Sequence, residues 1–251
     1  MSLSDAVSQS RSTEAAPQRI ELVDVGLSLE DRVVFDGLSL SGEVRDLGLI
    51  GRNGAGKSQF LRLIAGLVTP DTGQVRVNGF DPARDRRRAT SEIGFVFQNP
   101  DHALLFPTVI EEIGFGPQSR GLSKSEAAAV AENLLQRFGV AAWRDRLVHA
   151  LSQGQKHLLG LIAACANDPA LLLLDEAFAG LDLATSRSLR RTLDALPTAR
   201  IEASHDLIAM AARPRLLWID AGRIRMDGPP EQVLPVYRQE MEAQVIAPDS
   251  L

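Results

Sequence analysis

Gly51-Arg52-Asn53-Gly54-Ala55-Gly56-Lys57-Ser58 is the stretch on which the fold turns. It places four residues between a first glycine and Gly-Lys-Ser, the spacing of a loop that wraps a phosphate with inward-pointing backbone N–H groups. Its flanks support that reading. Leu47 to Ile50 is an apolar run that stops at Gly51, and helical spacing starts near Lys57 and runs to about Leu67. A strand, a glycine-rich loop and a helix bring the helix N-terminus, with its partial positive charge, up to the phosphates. Lys57 adds a full charge for the outer phosphates, and the Ser58 hydroxyl is an oxygen ligand for Mg²⁺. Arg52, Asn53, Gly54, Ala55, Gly56, Lys57, Ser58 and the following Gln59 are therefore expected at a bound triphosphate.

Outward from the loop, apolar patterning alternates between periods of two and 3.6. Ile20 to Val25 alternates as a half-buried strand does, and Val33 to Phe35 and Leu38 to Val44 continue the same small sheet. Gln74 to Val77 and Ile93 to Phe97 read as strands. Leu171 to Leu174 is apolar on both faces, as a central parallel strand must be. Ile201 to Ala203 and Arg215 to Ile219 complete the set. Helices are expected over Ser125 to Phe138, from Ser152 through Ala166, and over Thr185 to Leu196, with an amphipathic stretch around Val233 to Ala243. The fold class is α/β, a mostly parallel sheet with helical layers. The interval from Gln98 to Ser152 lacks strand patterning and reads as an inserted helical subdomain, about 99–165. The assigned divisions are a disordered leader over 1–19, one domain over 20–230 and a C-terminal helix or tail over 231–251.

The chain has 251 residues, 45% of them apolar, enough for one α/β domain with a sizeable core. A net charge of −5 argues against nucleic acid as a partner, since such binders carry a basic face. The cluster Arg84, Arg86, Arg87 and Arg88 reads as a solvated helix or loop start. The single cysteine, Cys165, excludes an internal disulfide and reads as a buried filler. No segment approaches the roughly 20 apolar residues that span a bilayer, so direct membrane insertion is not expected.

Leu171-Leu172-Leu173-Leu174-Asp175-Glu176 ends an apolar strand in two carboxylates. An acid at a strand's C-terminal edge can reach a bound metal, which suits Asp175. Glu176 is placed to polarise an attacking water as general base. Shortly upstream, Leu151-Ser152-Gln153-Gly154-Gln155 is similar to the LSGGQ signature of the ATP-binding-cassette (ABC) ATPases, in that family's order along the chain. Ser152 is a good N-cap and Gly154 permits close backbone approach. Gln98 resembles the family's Q-loop glutamine, Ala179-Gly180-Leu181-Asp182 its D-loop, and His205 in Ser204-His205-Asp206 its switch histidine. His102, His149 and His157 match no motif.

This resemblance, covering about 20–230, implies the ABC fold, with a RecA-like sheet, an N-terminal antiparallel β subdomain and the helical insertion. It implies MgATP as substrate and metal, with Ser58, Gln98 and Asp175 at the metal. Glu176, His205 and Lys57 carry catalysis, and Ser152, Gly154, Gln155 and Asp182 meet the nucleotide of an opposing, identical copy. Three departures stand out. Gln153 replaces the signature's first glycine, Gln59 stands where relatives carry Thr, and Leu29 falls where an adenine-stacking aromatic belongs, leaving Phe35 as a weak substitute. Gln98-Asn99-Pro100-Asp101, Phe106-Pro107-Thr108-Val109 and Phe115-Gly116-Pro117 are similar to ATPase subunits of energy-coupling factor (ECF) importers of vitamins and metal ions, with the single-ATPase, biotin type favoured. The resemblance implies a transmembrane coupling subunit and a substrate-binding membrane subunit as partners, holding the chain at the cytoplasmic face. Another ABC transporter's ATPase, or a nucleic-acid-associated one, is the alternative.

Overall fold

The computed structural model describes residues 15–30 and 32–245. Most of the assigned leader and the last six residues of the tail lie outside these residues. The first strand, β1 (Gln18–Leu29), begins two residues before the expected Ile20. β2 (Arg32–Val44) is one strand and not two. Gly37, at φ 72°, lets it kink between the two apolar segments without breaking. Both pair antiparallel, and β4 (Thr72–Val77) joins the other edge of β1, giving the order β2-β1-β4.

The larger sheet has the order β5-β6-β7-β3-β8-β9. It comprises β3 (Asp46–Ile50), β5 (Ile93–Val96), β6 (Leu171–Asp175), β7 (Ala199–Ala203), β8 (Arg215–Asp220) and β9 (Arg223–Gly228). Every pairing is parallel except the antiparallel β8–β9 edge. This is the mixed α/β architecture the patterning predicts. The β9 edge is not among the expected strands, although Arg223-Ile224-Arg225-Met226-Asp227 alternates polar and apolar residues as a strand covered on one face does.

Helix α1 (Lys57–Ile64) follows β3 and ends three residues earlier than expected. Gly66 stops it, turning left-handed at φ 70° where an added Cβ would lie 2.2 Å from the Pro82 carbonyl oxygen. Phe60, Leu61, Leu63 and Ile64 on α1 pack with Leu47, Leu49, Leu171, Leu173 and Ile201 of the large sheet and with Ile20 and Leu22 of the small one. One core therefore joins both sheets. The arginine cluster forms α2 (Arg86–Glu92), capped by Asp85.

Between β5 and β6 the chain forms α3 (Val109–Ser119), α4 (Lys124–Arg137) and α5 (Gln153–Ala164), linked by short 3₁₀ turns. Val109, Ile113, Ala131, Leu135, Leu159 and Ile162 make a separate core here. Cys165 packs in the seam between this core and that under β6, and burial pushes its thiol up to about 12. That suits a filler and not a nucleophile. α6 (Leu183–Asp194), α7 (Leu207–Ala211) and α8 (Pro230–Val245) cover the remaining sheet, with Trp218 of β8 meeting Tyr237 of α8 edge-on at 5.2 Å.

A buried charge network ties α6 to β7. Glu202, 1% exposed, accepts from Arg190 at 2.7 Å and from Arg213 at 2.6 Å. Arg213 also reaches Asp46 at 3.1 Å, at the start of β3. Removing Glu202 would take the most buried carboxylate from two arginines, leaving Arg190 the longer 3.6 Å contact to Asp206 and Arg213 the contacts to Asp46 and Asp194. Glu202→Ala is expected to destabilise the fold by about 3–5 kcal/mol, read as a lower urea midpoint with an unchanged m-value.

Candidate active site

Ile50 is buried, and the chain leaves the sheet at Gly51, where a Cβ would come 2.1 Å from the Ile219 carbonyl oxygen of β8. Only glycine permits that approach. Gly56 caps α1 at φ 106°, a conformation that L side chains avoid, and a Cβ there would press on the Phe35 ring at 2.8 Å. The loop between these glycines encloses Lys57. Its ammonium, on a residue 6% exposed, donates to the carbonyls of Gly51 at 2.8 Å and Arg52 at 3.1 Å. Burial holds the Lys57 pKa below its ordinary value, while the nearby charges of Glu176 and Asp175 pull it back up.

Ser58 donates to Asp175 Oδ1 at 2.9 Å across 117 residues of chain. The next residue, Glu176, sits at φ +47°, a left-handed conformation costing a non-glycine residue on the order of 1–3 kcal/mol. Its N–H donates to the Ala203 carbonyl at 3.0 Å, so the end of β7 holds the turn. The Glu176 carboxylate lies 2.7 Å from His205 Nε2 through one oxygen and 3.5 Å from Gln98 Nε2 through the other. Glu176, His205 and Gln98 come from the C-terminal ends of β6, β7 and β5.

These groups open into a cleft of about 1070 Å³, above the usual range for a small-ligand site. Asn53, Gly54, Gly56, Lys57, Ser58, Gln59, Gln98, Glu176 and His205 all line it. Arg52 and Ala55 belong to the same loop, and Ala55 is buried. Asp175 reaches the cleft through Ser58. The Gln59 amide oxygen is buried without a hydrogen-bond partner among the described residues.

Besides Arg52 and Ala55, four expected nucleotide ligands do not line this cleft. Ser152 and Gln155 form a capping box at the start of α5. Gly154 abuts α6, where an added Cβ would meet Thr185 Cγ2 at 2.6 Å. Asp182 caps α6 by accepting from the N–H groups of Ala184 and Thr185.

The structure corrects one expectation. Phe35 cannot stack on a base, because it is 1% exposed and spent in the core beneath Gly56. Leu29 does line the cleft, together with Arg32, Val33, Val34 and Arg62, none of which the motifs singled out. The Arg32 guanidinium lies 3.5 Å from the Gly54 carbonyl. Ala221 and Gly222 also line the cleft. Their turn is visible in the sequence, but its approach to β2 is not: a Cβ on Gly222 would lie 2.1 Å from the Val34 carbonyl oxygen.

A glycine cradle with a buried lysine, paired with a serine–aspartate set at the ends of parallel strands, defines a phosphate-loop nucleoside triphosphatase. Comparison with known proteins narrows this. The ABC transporter family model matches residues 40–179. The chain is 45% identical over 90% of its length, and 97% of the relative's, to the biotin transport ATP-binding protein BioM of Rhodobacter capsulatus. It is 39% identical over 88% of its length, and 98% of the relative's, to the protein of the same name from Rhizobium etli. The solved structure of CbiO1 from Clostridium perfringens, described as part of the ABC transporter complex CbiONQ, shares the fold. Its TM-score is 0.75 at 24% identity, covering 93% of this chain and 97% of that one. The chain belongs to the ABC transporter family.

No aromatic side chain lines the rim formed by Leu29 and Arg32, and stacking on one would in any case favour adenine and guanine alike. ATP and GTP are expected to be hydrolysed at rates within about threefold of each other. Leu29→Tyr should tighten nucleotide binding by about 0.5–1.5 kcal/mol, or roughly 2- to 12-fold, measured by titration with either nucleotide.

Proposed function

We propose that the chain is the ATP-hydrolysing subunit of an ECF-type importer, with a vitamin as cargo and biotin favoured. The observation that carries the proposal is the Glu176 carboxylate, held between Gln98 and His205 at the mouth of the Lys57 loop. Kinship with two proteins named for biotin transport supports the choice of cargo.

In this reading the loop 52–58 holds the triphosphate, and Lys57 turns from its own carbonyls toward the outer phosphates. Glu176 orients the attacking water and accepts its proton. His205, at the γ-phosphate end, keeps that carboxylate in place before substrate arrives. The donor set suits Mg²⁺. Ser58 and Asp175 supply two hard oxygens 2.9 Å apart, and among the described residues no group of three or more His, Cys, Asp or Glu is placed to hold a metal ion. Mg²⁺ is usually held by one or two protein oxygens together with phosphates. Ser58 and Asp175 would hold it, with Gln98 alongside, and it would neutralise charge on the phosphates. Ser152, Gly154, Gln155 and Asp182, remote from their own chain's cleft, would cover the nucleotide of a second identical copy.

No helix among the described residues is long and apolar enough to cross a membrane. As the ATPase of such an importer, the chain would act at the cytoplasmic face through a coupling subunit and a substrate-binding membrane subunit. The candidate docking surface is beside the Q-loop, where the Phe106 and Phe115 rings meet at 5.0 Å with a 36° tilt, Phe115 is half exposed and Leu105 is 74% exposed.

Glu176→Gln should retain ATP binding while turnover falls by about 10²–10⁴-fold, the span of a general base; near-normal turnover would reject the role. Lys57→Ala should weaken ATP binding itself in the same titration. Phe115→Asp is expected to cost the membrane subunits in co-purification while ATP affinity stays at the level of the unmodified chain. Intact complex in that experiment would move the docking surface elsewhere.

A further inference from the structure

Gln153, the residue that departs from the signature, makes a contact that glycine could not. Its amide Nε2 donates to Asp101 Oδ2 at 3.0 Å, across 52 residues of chain. Lys156, one turn along α5, donates to the other oxygen, Asp101 Oδ1, at 2.6 Å. Both bonds favour the ionised carboxylate, and together with the Lys156 charge they hold Asp101 below the usual carboxylate range. Asp101 lies three residues after Gln98, in a 3₁₀ turn (Pro100–His102) that Asn99 caps by accepting from the Asp101 N–H at 2.9 Å.

The other end of this clamp is also set. Ser152 and Gln155 close the capping box on either side of Gln153, and the Gln153 carbonyl accepts from Nδ1 of the buried His157 at 2.9 Å. The turn that begins α5 is therefore rigid on its own account, and Asp101 is its attachment to the segment carrying Gln98. Gln98 in turn reaches Glu176 at 3.5 Å. A polar path thus runs from the carboxylate in the cleft to the start of α5, with Gln153 and Asp101 as its central joint.

We propose that Gln153 is a positioning residue, which locks the signature turn to the Q-loop so that the two move as one body. Resting on the function proposed above, this links Gln98 in a chain's own cleft to the lid that the same chain places over its partner's nucleotide. Occupancy of one cleft then changes the fit of the lid on the other. Both Gln153 and Asp101 are exposed, and exposed polar pairs add little to stability. The contribution is to coupling, and the fold should not depend on it.

The test uses the full-length chain and a rescue pair. Gln153→Glu sets a second carboxylate against Asp101. Adding Asp101→Asn restores a donor–acceptor pair with its direction reversed. ATP affinity is measured by titration at low protein concentration, and kcat and the Hill coefficient by steady-state hydrolysis. Gln153→Glu is expected to keep ATP affinity within about twofold while kcat falls about tenfold, a coupling of ordinary size for contacting residues. The Hill coefficient should fall toward one. The double variant should recover kcat to within about threefold of the unmodified chain, together with its cooperativity. Unchanged kcat and cooperativity in Gln153→Glu would overturn the proposal. So would a double variant as impaired as the single one when Asp101→Asn alone stays near normal, because the added charge would then act on the nucleotide and not through Asp101. Failure of the unmodified chain to bind ATP would instead overturn the function proposed above.

Discussion

Parallel pairing of β3, β5, β6 and β7 is the constraint from which the rest of the site follows. Val96 pairs with Leu174, Asp175 with Ala203, and Leu49 with Ala203, so the strands end at one edge in register. Each then releases its next residues at the same level: the Gly51 loop from β3, Gln98 from β5, Glu176 from β6 and His205 from β7. Strand carboxyl ends are where open α/β sheets place ligands, because the chain turns outward there and exposes side chains that the pleat would otherwise bury. A slip by one residue would send Asp175 or Glu176 to the opposite face.

That edge carries costs the rest of the fold must offset. Lys57 is nearly buried, Glu176 occupies a left-handed backbone conformation, and the Gln59 oxygen has no partner among the described residues. Beneath it the sheet is apolar on both faces, with Leu171 to Leu174 wholly buried. The Arg190–Glu202–Arg213 network braces the same strands with directional contacts. Strain and desolvation collect where charge is to be handled, and packing below keeps the geometry from relaxing.

The helical insertion has its own core, and Leu161 of α5 joins it to the core under β6. Its polar joint to the Q-loop is concentrated at Asp101, Gln153 and Lys156. The signature turn is internally satisfied by its capping box and needs no nucleotide to hold its shape. Its glycine is tight against Thr185, at the start of α6, which Asp182 caps. The Ser152–Gln155 turn and the segment ending at Asp182 are thereby packed together at the start of α6, and neither lines the cleft of its own chain.

Local chemistry was legible in the sequence. The glycine spacing before Lys57, the apolar strand ending in Asp175-Glu176 and the order of the signature and switch segments determined the fold class and one side of the cleft, namely Asn53, Gly54, Gly56, Lys57, Ser58, Gln59, Gln98, Glu176 and His205, because each depends on neighbours a few positions away. Contacts between distant segments were decided only by tertiary packing. Phe35 reads as a free aromatic until the core closes over it. Arg32 and Gly222 carry no motif until β2 and the β8–β9 turn meet. Gln153 reads as a tolerated departure until α5 sets it beside Asp101. Pattern and propensity report what a residue favours within its own turn or strand, whereas a partner 50 or more residues away is chosen by how the elements stack.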